Sequence, residues 1–264
     1  MPEVTYANLK KAIKSRKFAP VYFLHGEEAF FIDEISDLIA SCALNESERD
    51  FNFNLLYGKD TSIDDIKSVA NKYPMMADRQ VVIVREAQDL KKLDQLSAYL
   101  QNPVSSTILV LCYKHKKLDK RTKFYKTLKD QAQVFQAGKV SEQKLPQWIE
   151  AYLHEQGYGI QPKASYLLTE YLGSDLKKVT NELDKLLLDD QVSKEVTIED
   201  IEKNVGISKD YNIFELQNAL GRKDVVTTTK IVNYYRANPK ANPMPMLTAS
   251  LFSYFSKLFS LVYK

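Results

Sequence analysis

A change of rhythm near residue 140 constrains this chain more than any other feature. Before it, short apolar runs of strand length alternate with segments of helical period; after it, the helical period continues almost without a break. The strand-like runs are residues 20–24, 51–57, 80–84 and 107–112, with 134–135 as a further edge strand. Helical segments are predicted at 4–16, 27–44, 62–71, 91–101 and 121–128. Parallel neighbours cannot be joined by a tight turn, so strands that alternate with helices imply a parallel sheet with crossover helices. Residues 145–156, 162–172, 174–188, 198–204, 213–220, 225–237 and 246–262 then predict an all-helical remainder. A polar link at 206–210 marks a second expected boundary. The fold class is therefore α/β followed by all-α.

Composition narrows the class further. Of 264 residues, 44% are hydrophobic and 27% charged, enough apolar surface for a sizeable core and unlike a disordered or membrane chain. No run is long enough to span a bilayer, and the first 17 residues lack the apolar centre of a secretory leader, so a cytoplasmic location without membrane attachment is expected. Cys42 and Cys112 lie in apolar runs, which predicts reduced, buried thiols. His25, His115 and His154 are scattered without metal-ligand spacing, so neither a metal nor another cofactor is expected. Trp148 shares a helical face with Leu145, Ile149 and Tyr152 and reads as core. A net charge of +3 is too mild to mark the whole chain as a nucleic-acid binder, so any DNA contact must come from a local patch.

Two places test the α/β part for nucleotide chemistry. A phosphate-binding loop after the first strand has the form G-x-x-x-x-G-K-[ST], in which backbone amides and the lysine hold the phosphates. Here the turn reads HGEEAFFIDE: Gly26 is present, but no second glycine, lysine or hydroxyl follows at the required spacing. Glu27 and Glu28 instead bring negative charge to the helix N-terminus that a triphosphate would occupy. The third strand reads QVVIVREAQDL, with Arg85 where an aspartate would organise magnesium. The turn and Arg85 together read as a degenerate nucleotide site. No acid/base pair or nucleophilic triad can be argued from spacing, so no catalytic residue is assigned.

Four stretches carry a family resemblance: GEEAFFIDE at 26–34, YPMMADRQVVIVREA at 73–87, LGSDLKKVTNELDKL at 172–186 and YNIFELQNALGRKD at 211–224. In this order they resemble the delta subunits of bacterial DNA polymerase III clamp loaders, an AAA+-like family. The resemblance implies an ATPase-like α/β domain without a functional P-loop at 1–140, a small helical lid domain at 141–208 and a helical collar domain at 209–264. Delta chains usually continue beyond the point where this one stops, so the collar is expected to be incomplete. The implied function is to bind and open the β sliding clamp for loading onto primed DNA, as a non-catalytic subunit of a nucleotidyltransferase holoenzyme. The implied partners are the clamp and the gamma/tau and delta prime subunits, with primed DNA contacted indirectly. Two alternatives stand beside it. An ATP-dependent AAA+ motor is opposed by the degenerate turn and Arg85; a delta prime-like subunit is expected to carry a Ser-Arg-Cys finger, and that tripeptide does not occur.

The resemblance also assigns residues. Pro74, Met75 and Met76 fall where delta subunits present a hydrophobic pair to the clamp, whereas on the residues alone the two methionines read as buried under the sheet. The segment 114–126 is the most basic in the chain; Lys116, Lys117, Lys120, Arg121 and Lys123 are candidates for DNA phosphate contacts, against the plainer reading of a solvated face. On the last helix, Leu251, Phe252, Phe255, Leu258, Phe259 and Val262 form a wide apolar stripe whose simplest partners are the preceding helices, and otherwise another subunit.

Overall fold

The computed structural model describes residues 4–205, 211–239 and 244–262. By its contacts the chain divides into two compact units, Met1–Lys139 and Val140–Lys264. The boundary expected at 206–210 lies outside the described residues.

The first unit runs α1 (Tyr6–Lys14), β1 (Val21–Gly26), α2 (Ala29–Ala43), α3 (Glu46–Asn52), β2 (Phe53–Tyr57), α4 (Ile63–Ala70), β3 (Gln80–Arg85), α5 (Ser97–Gln101), β4 (Thr107–Lys114), α6 (Lys123–Gln131) and β5 (Gln133–Ala137). Its five strands form one sheet in the order β2-β3-β4-β1-β5, and every pairing is parallel. Residues 21–26 of β1 are all buried, and β3 and β4 are nearly so. That explains why these strands read as continuous apolar runs: both faces of a parallel sheet are covered by helices. Val21, Phe23, Val82, Val84, Leu109 and Leu111 pack on one face into a core with α4, α5 and α6. By strand alternation the intervening residues face the other side, where α2 packs across the sheet and buries Ile32, Ile35 and Ile39.

Two local expectations are corrected. The second strand starts at Phe53, because 51–52 close α3, a helix fixed by a capping box in which Asn45 and Glu48 exchange side-chain hydrogen bonds with each other's backbone. Residues 91–101 form a 3-10 turn followed by the short α5 rather than one long helix.

The second unit contains α7 (Leu145–Glu155), β6 (Gly159–Ile160), α8 (Pro162–Leu172), α9 (Leu176–Leu187), β7 (Glu195–Val196), α10 (Ile198–Val205), α11 (Ile213–Gly221), α12 (Val225–Ala237) and α13 (Met244–Val262). The pairing of β6 with β7 is an addition to the helical pattern that two-residue strands leave no periodicity to reveal. Trp148 is half-buried and stacks on Tyr152, while Leu145, Ile149 and Leu153 supply the buried face of α7, which corrects its reading as core. Ile213, Leu216, Ile231, Tyr235 and Leu247 form a small core joining α11, α12 and α13. Only the start of α13 takes part. Of the stripe, Leu251 is half-buried against this core, whereas Phe252, Phe255, Leu258, Phe259 and Val262 are exposed, so most of the stripe is not covered by the preceding helices among the described residues.

Candidate functional site

The two ends of the parallel sheet are built differently. At the C-terminal end, Gly26 closes β1 with φ 145°, and a Cβ there would stand 2.0 Å from the Ala137 carbonyl oxygen, so only glycine fits. The same carbonyl accepts from Glu27 N at 3.0 Å and Glu28 N at 3.4 Å. These are the turn amides that a phosphate would need, and they are already committed to β5. Glu28 Oε1 accepts from Phe30 N at 3.3 Å, so α2 is capped by its own carboxylate.

Arg85, at the end of β3, donates to Asp33 Oδ1 and Asp37 Oδ1 of α2, each at 2.6 Å. Lys114, at the end of β4, reaches the same Asp33 oxygen at 2.8 Å and Glu86 at 3.2 Å. Burial pulls the Arg85 pKa down, but Asp37 and Asp33 outweigh it and leave the value raised. Burial likewise opposes the Lys114 charge, and the Asp33 and Glu86 partners again win. Burial raises the Glu86 pKa, yet hydrogen bonds from Gln88 and Lys114 hold it below the ordinary value. Beneath this network, burial pushes the Cys112 thiol up to about 12, an inert thiol. Cys42 is only half-buried, which corrects the expectation for one of the two cysteines.

The basic segment lies beside the same turn. Lys116 bridges Gly26 across an antiparallel contact, and Leu118 N donates to His25 Nδ1 at 3.3 Å. Lys117 pairs with Glu27 at 3.2 Å and Arg121 with Asp119 at 2.8 Å. Lys116, Lys120 and Lys123 are exposed. Lys117 and Arg121 thus have carboxylates beside them, and the segment offers less net charge than its sequence suggests.

At the N-terminal end, Pro74, Met75 and Met76 lie in the loop between α4 and β3. Six residues of β3, roughly 20 Å at the usual rise, separate this loop from Arg85. Met75 is 59% and Met76 101% exposed, so neither is buried under the sheet, and Tyr73 and Phe51 are exposed as well. The loop is nevertheless anchored. Asn52, 1% exposed at the end of α3, receives Met75 N on Oδ1 at 2.7 Å and donates through Nδ2 to Met75 O and Glu48 O, each at 2.9 Å. Gln80 Nε2 reaches back to the Val69 carbonyl at 3.3 Å and the Lys72 carbonyl, and Thr107 Oγ1 donates to the Ala70 carbonyl at 2.8 Å. Met76 itself has φ 51°, left-handed backbone that a methionine adopts at some cost. A cavity of about 250 Å³ adjoins the loop, lined by Arg16, Phe18, Ala43, Glu48, Asp78 and Arg79, with the Arg79 guanidinium 5.6 Å from the Phe18 ring centre.

Residues 22–138 match the family described as DNA polymerase III, delta subunit. Over these residues the chain is similar to the delta-subunit family. The chain is 27% identical over 220 residues to DNA polymerase III subunit delta of Bacillus subtilis (strain 168), covering 80% of this chain and 63% of that protein. It is 23% identical over 227 residues to the probable DNA polymerase III subunit delta of Aquifex aeolicus (strain VF5), covering 81% and 63%. It thus spans less than two thirds of the length of these delta relatives. The solved structure of the Bacillus subtilis DNA clamp loader delta protein has the same fold, with a TM-score of 0.68, 24% identity, and coverage of 89% of this chain and 72% of that one.

Within residues 22–138, sequence reasoning missed the residues that hold the sites in place. Asp33 and Asp37 sit one helical turn apart on α2 and face Arg85, a signal available from the i, i+4 spacing. Asn52 gave only an indirect sign, since the capping box Asn45-x-x-Glu48 fixes the helix that ends on it.

Proposed function

We propose that this chain acts in a bacterial DNA polymerase III clamp loader as the subunit that binds the β sliding clamp and opens it for loading onto primed DNA. In this reading 1–140 is an AAA+-like domain without a functional P-loop, 141–208 a lid and 209–264 a helical collar region that joins gamma/tau and delta prime subunits in the cytoplasm. The observation that carries it is the pair Met75 and Met76, exposed on a loop whose backbone is fixed from beneath. Flexible, polarizable methionines fit an irregular apolar pocket on a partner. Burying both there contributes roughly 3 to 6 kcal/mol before entropic costs, sufficient to make them the anchors of an interface.

The chain itself neither binds nor hydrolyses ATP. Support comes from the Glu27 and Glu28 amides committed to Ala137 and from Arg85 tied to Asp33 and Asp37. Lys116, Lys117, Lys120, Arg121 and Lys123 supply a modest electrostatic contact to DNA phosphates.

Two measurements on the intact chain test this. Size-exclusion chromatography with the cognate β clamp is expected to show co-elution, and a melting temperature read with and without millimolar magnesium-ATP is expected to be unchanged. Stabilisation by several degrees would require a real nucleotide site by mass action and return the ATP-driven motor as the better reading.

A further inference from the structure

We propose that Asn52 is a positioning residue that preorganises the Met75–Met76 loop for its partner, an inference that rests on the clamp-binding reading. Its carboxamide pairs with both the N–H and the C=O of Met75, as a neighbouring strand would, and its remaining Nδ2 hydrogen goes to the Glu48 carbonyl. No other natural side chain of this size offers one acceptor and two donors in that plane. Leucine offers neither. Aspartate turns a carboxylate oxygen toward the Met75 and Glu48 carbonyls, so acceptors face acceptors.

The pin sits one residue before Met76, whose φ of 51° is the loop's sparsely populated conformation. It is also buried, where a hydrogen bond is stronger than in water and loss of a partner costs more. On its other side Asn52 is held by α3, and α3 is held by the Asn45–Glu48 box. Capping box, helix end, carboxamide and loop therefore form one connected chain of hydrogen bonds. An apolar loop that must be ordered at the moment of binding loses affinity to that ordering. Here the ordering is already present in the free protein, and Asn52 touches no partner itself.

The test combines Asn52→Leu and the same-sized Asn52→Asp with Met75→Ala/Met76→Ala in the full chain. Amide hydrogen exchange of Met75 is measured in the free protein, melting temperature records folding, and affinity for the β clamp is read by surface plasmon resonance. The proposal expects the Met75 amide to lose protection while other protected amides of the first unit keep theirs. It also expects clamp affinity to fall roughly 10- to 100-fold, the range for losing a buried hydrogen-bonded pin and ordering the loop on binding. In the Met75→Ala/Met76→Ala background, Asn52→Leu should add little, because the residue acts through those side chains. A purely structural Asn52 would instead weaken binding equally in both backgrounds. If either folded Asn52 variant binds the clamp as wild type while the methionine variant is weakened, the inference fails and the clamp-binding reading stands. Unchanged binding by the methionine variant itself removes both.

Discussion

The two ends of one sheet teach opposite lessons about what a surface is prepared to meet. At the C-terminal end the groups of the turn and the strand ends that would recognise a small anion have internal partners: the Glu27 and Glu28 amides go to Ala137, α2 is capped by Glu28, and Arg85 and Lys114 share Asp33. At the N-terminal end the Met75 backbone is paired internally and its side chain is not; Asn52, Gln80 and Thr107 hold the loop and the helix end before it, while Met75 and Met76 are exposed. A surface closed on itself gives stability. A surface whose backbone is fixed and whose apolar side chains are left out gives recognition. Changes at the first end should therefore register in folding, and changes at the second in binding.

The largest effect is expected from Gly26→Ala. The added Cβ would overlap the Ala137 carbonyl at 2.0 Å in a backbone of φ 145°, so thermal unfolding should show a loss of about 3 kcal/mol or more. A near-wild-type melting temperature would mean that the turn after β1 is not closed against Ala137.

Asp33→Ala comes next, because it leaves Arg85 and Lys114 short of the carboxylate they share. These side chains are only partly withdrawn from water, so a loss of about 2 kcal/mol is expected, below the range for fully buried pairs. Denaturant unfolding that shows no change would reduce the network to surface decoration.

The same network sets a pH window. Glu86 is held below its ordinary value of 4.5, so its contribution is complete above pH 4.5 and is lost as pH falls through the lower folded value. Lys114 is held above 10.5, so its contribution is complete below pH 10.5 and is lost as pH rises through the higher folded value. Stability arising from this pair should be level between these limits. Lys114→Met should flatten the acid limb by a few degrees in melting temperature, since Glu86 then loses a hydrogen bond that lowers its pKa; an unaltered limb would place the acid sensitivity elsewhere.

Smallest is the effect of Lys116→Glu with Lys123→Glu. If the basic segment meets DNA, the assembled loader should bind primed DNA several-fold more weakly, with a salt slope reduced by roughly 2. An unchanged slope would return the segment to a solvated face.

What the sequence disclosed follows from the range of the forces involved. The alternation of apolar runs with helices exposed the parallel sheet because burial on both faces dictates strand composition directly. The absent lysine after Gly26 and the arginine at 85 were equally plain, being identities at fixed spacing. Helix α3 was hidden because the apolar letters of 51–57 resemble one strand, although its capping box was legible. The exposure of Met75 and Met76 could not be read from the residues, since burial depends on α3 delivering Asn52 beneath the loop. The stripe on α13 failed for a related reason: periodicity says that a face is apolar, and only the packed structure says whether anything covers it.

The most direct test of the account is the affinity of the folded Met75→Ala/Met76→Ala chain for the β clamp. Because both side chains are exposed in the free protein, their truncation should leave the melting temperature within about a degree of wild type, as for other surface changes. Clamp affinity should nonetheless fall by about two or more powers of ten. Wild-type affinity in the folded variant would contradict the account, and would leave the open end of the sheet without the role that its construction implies.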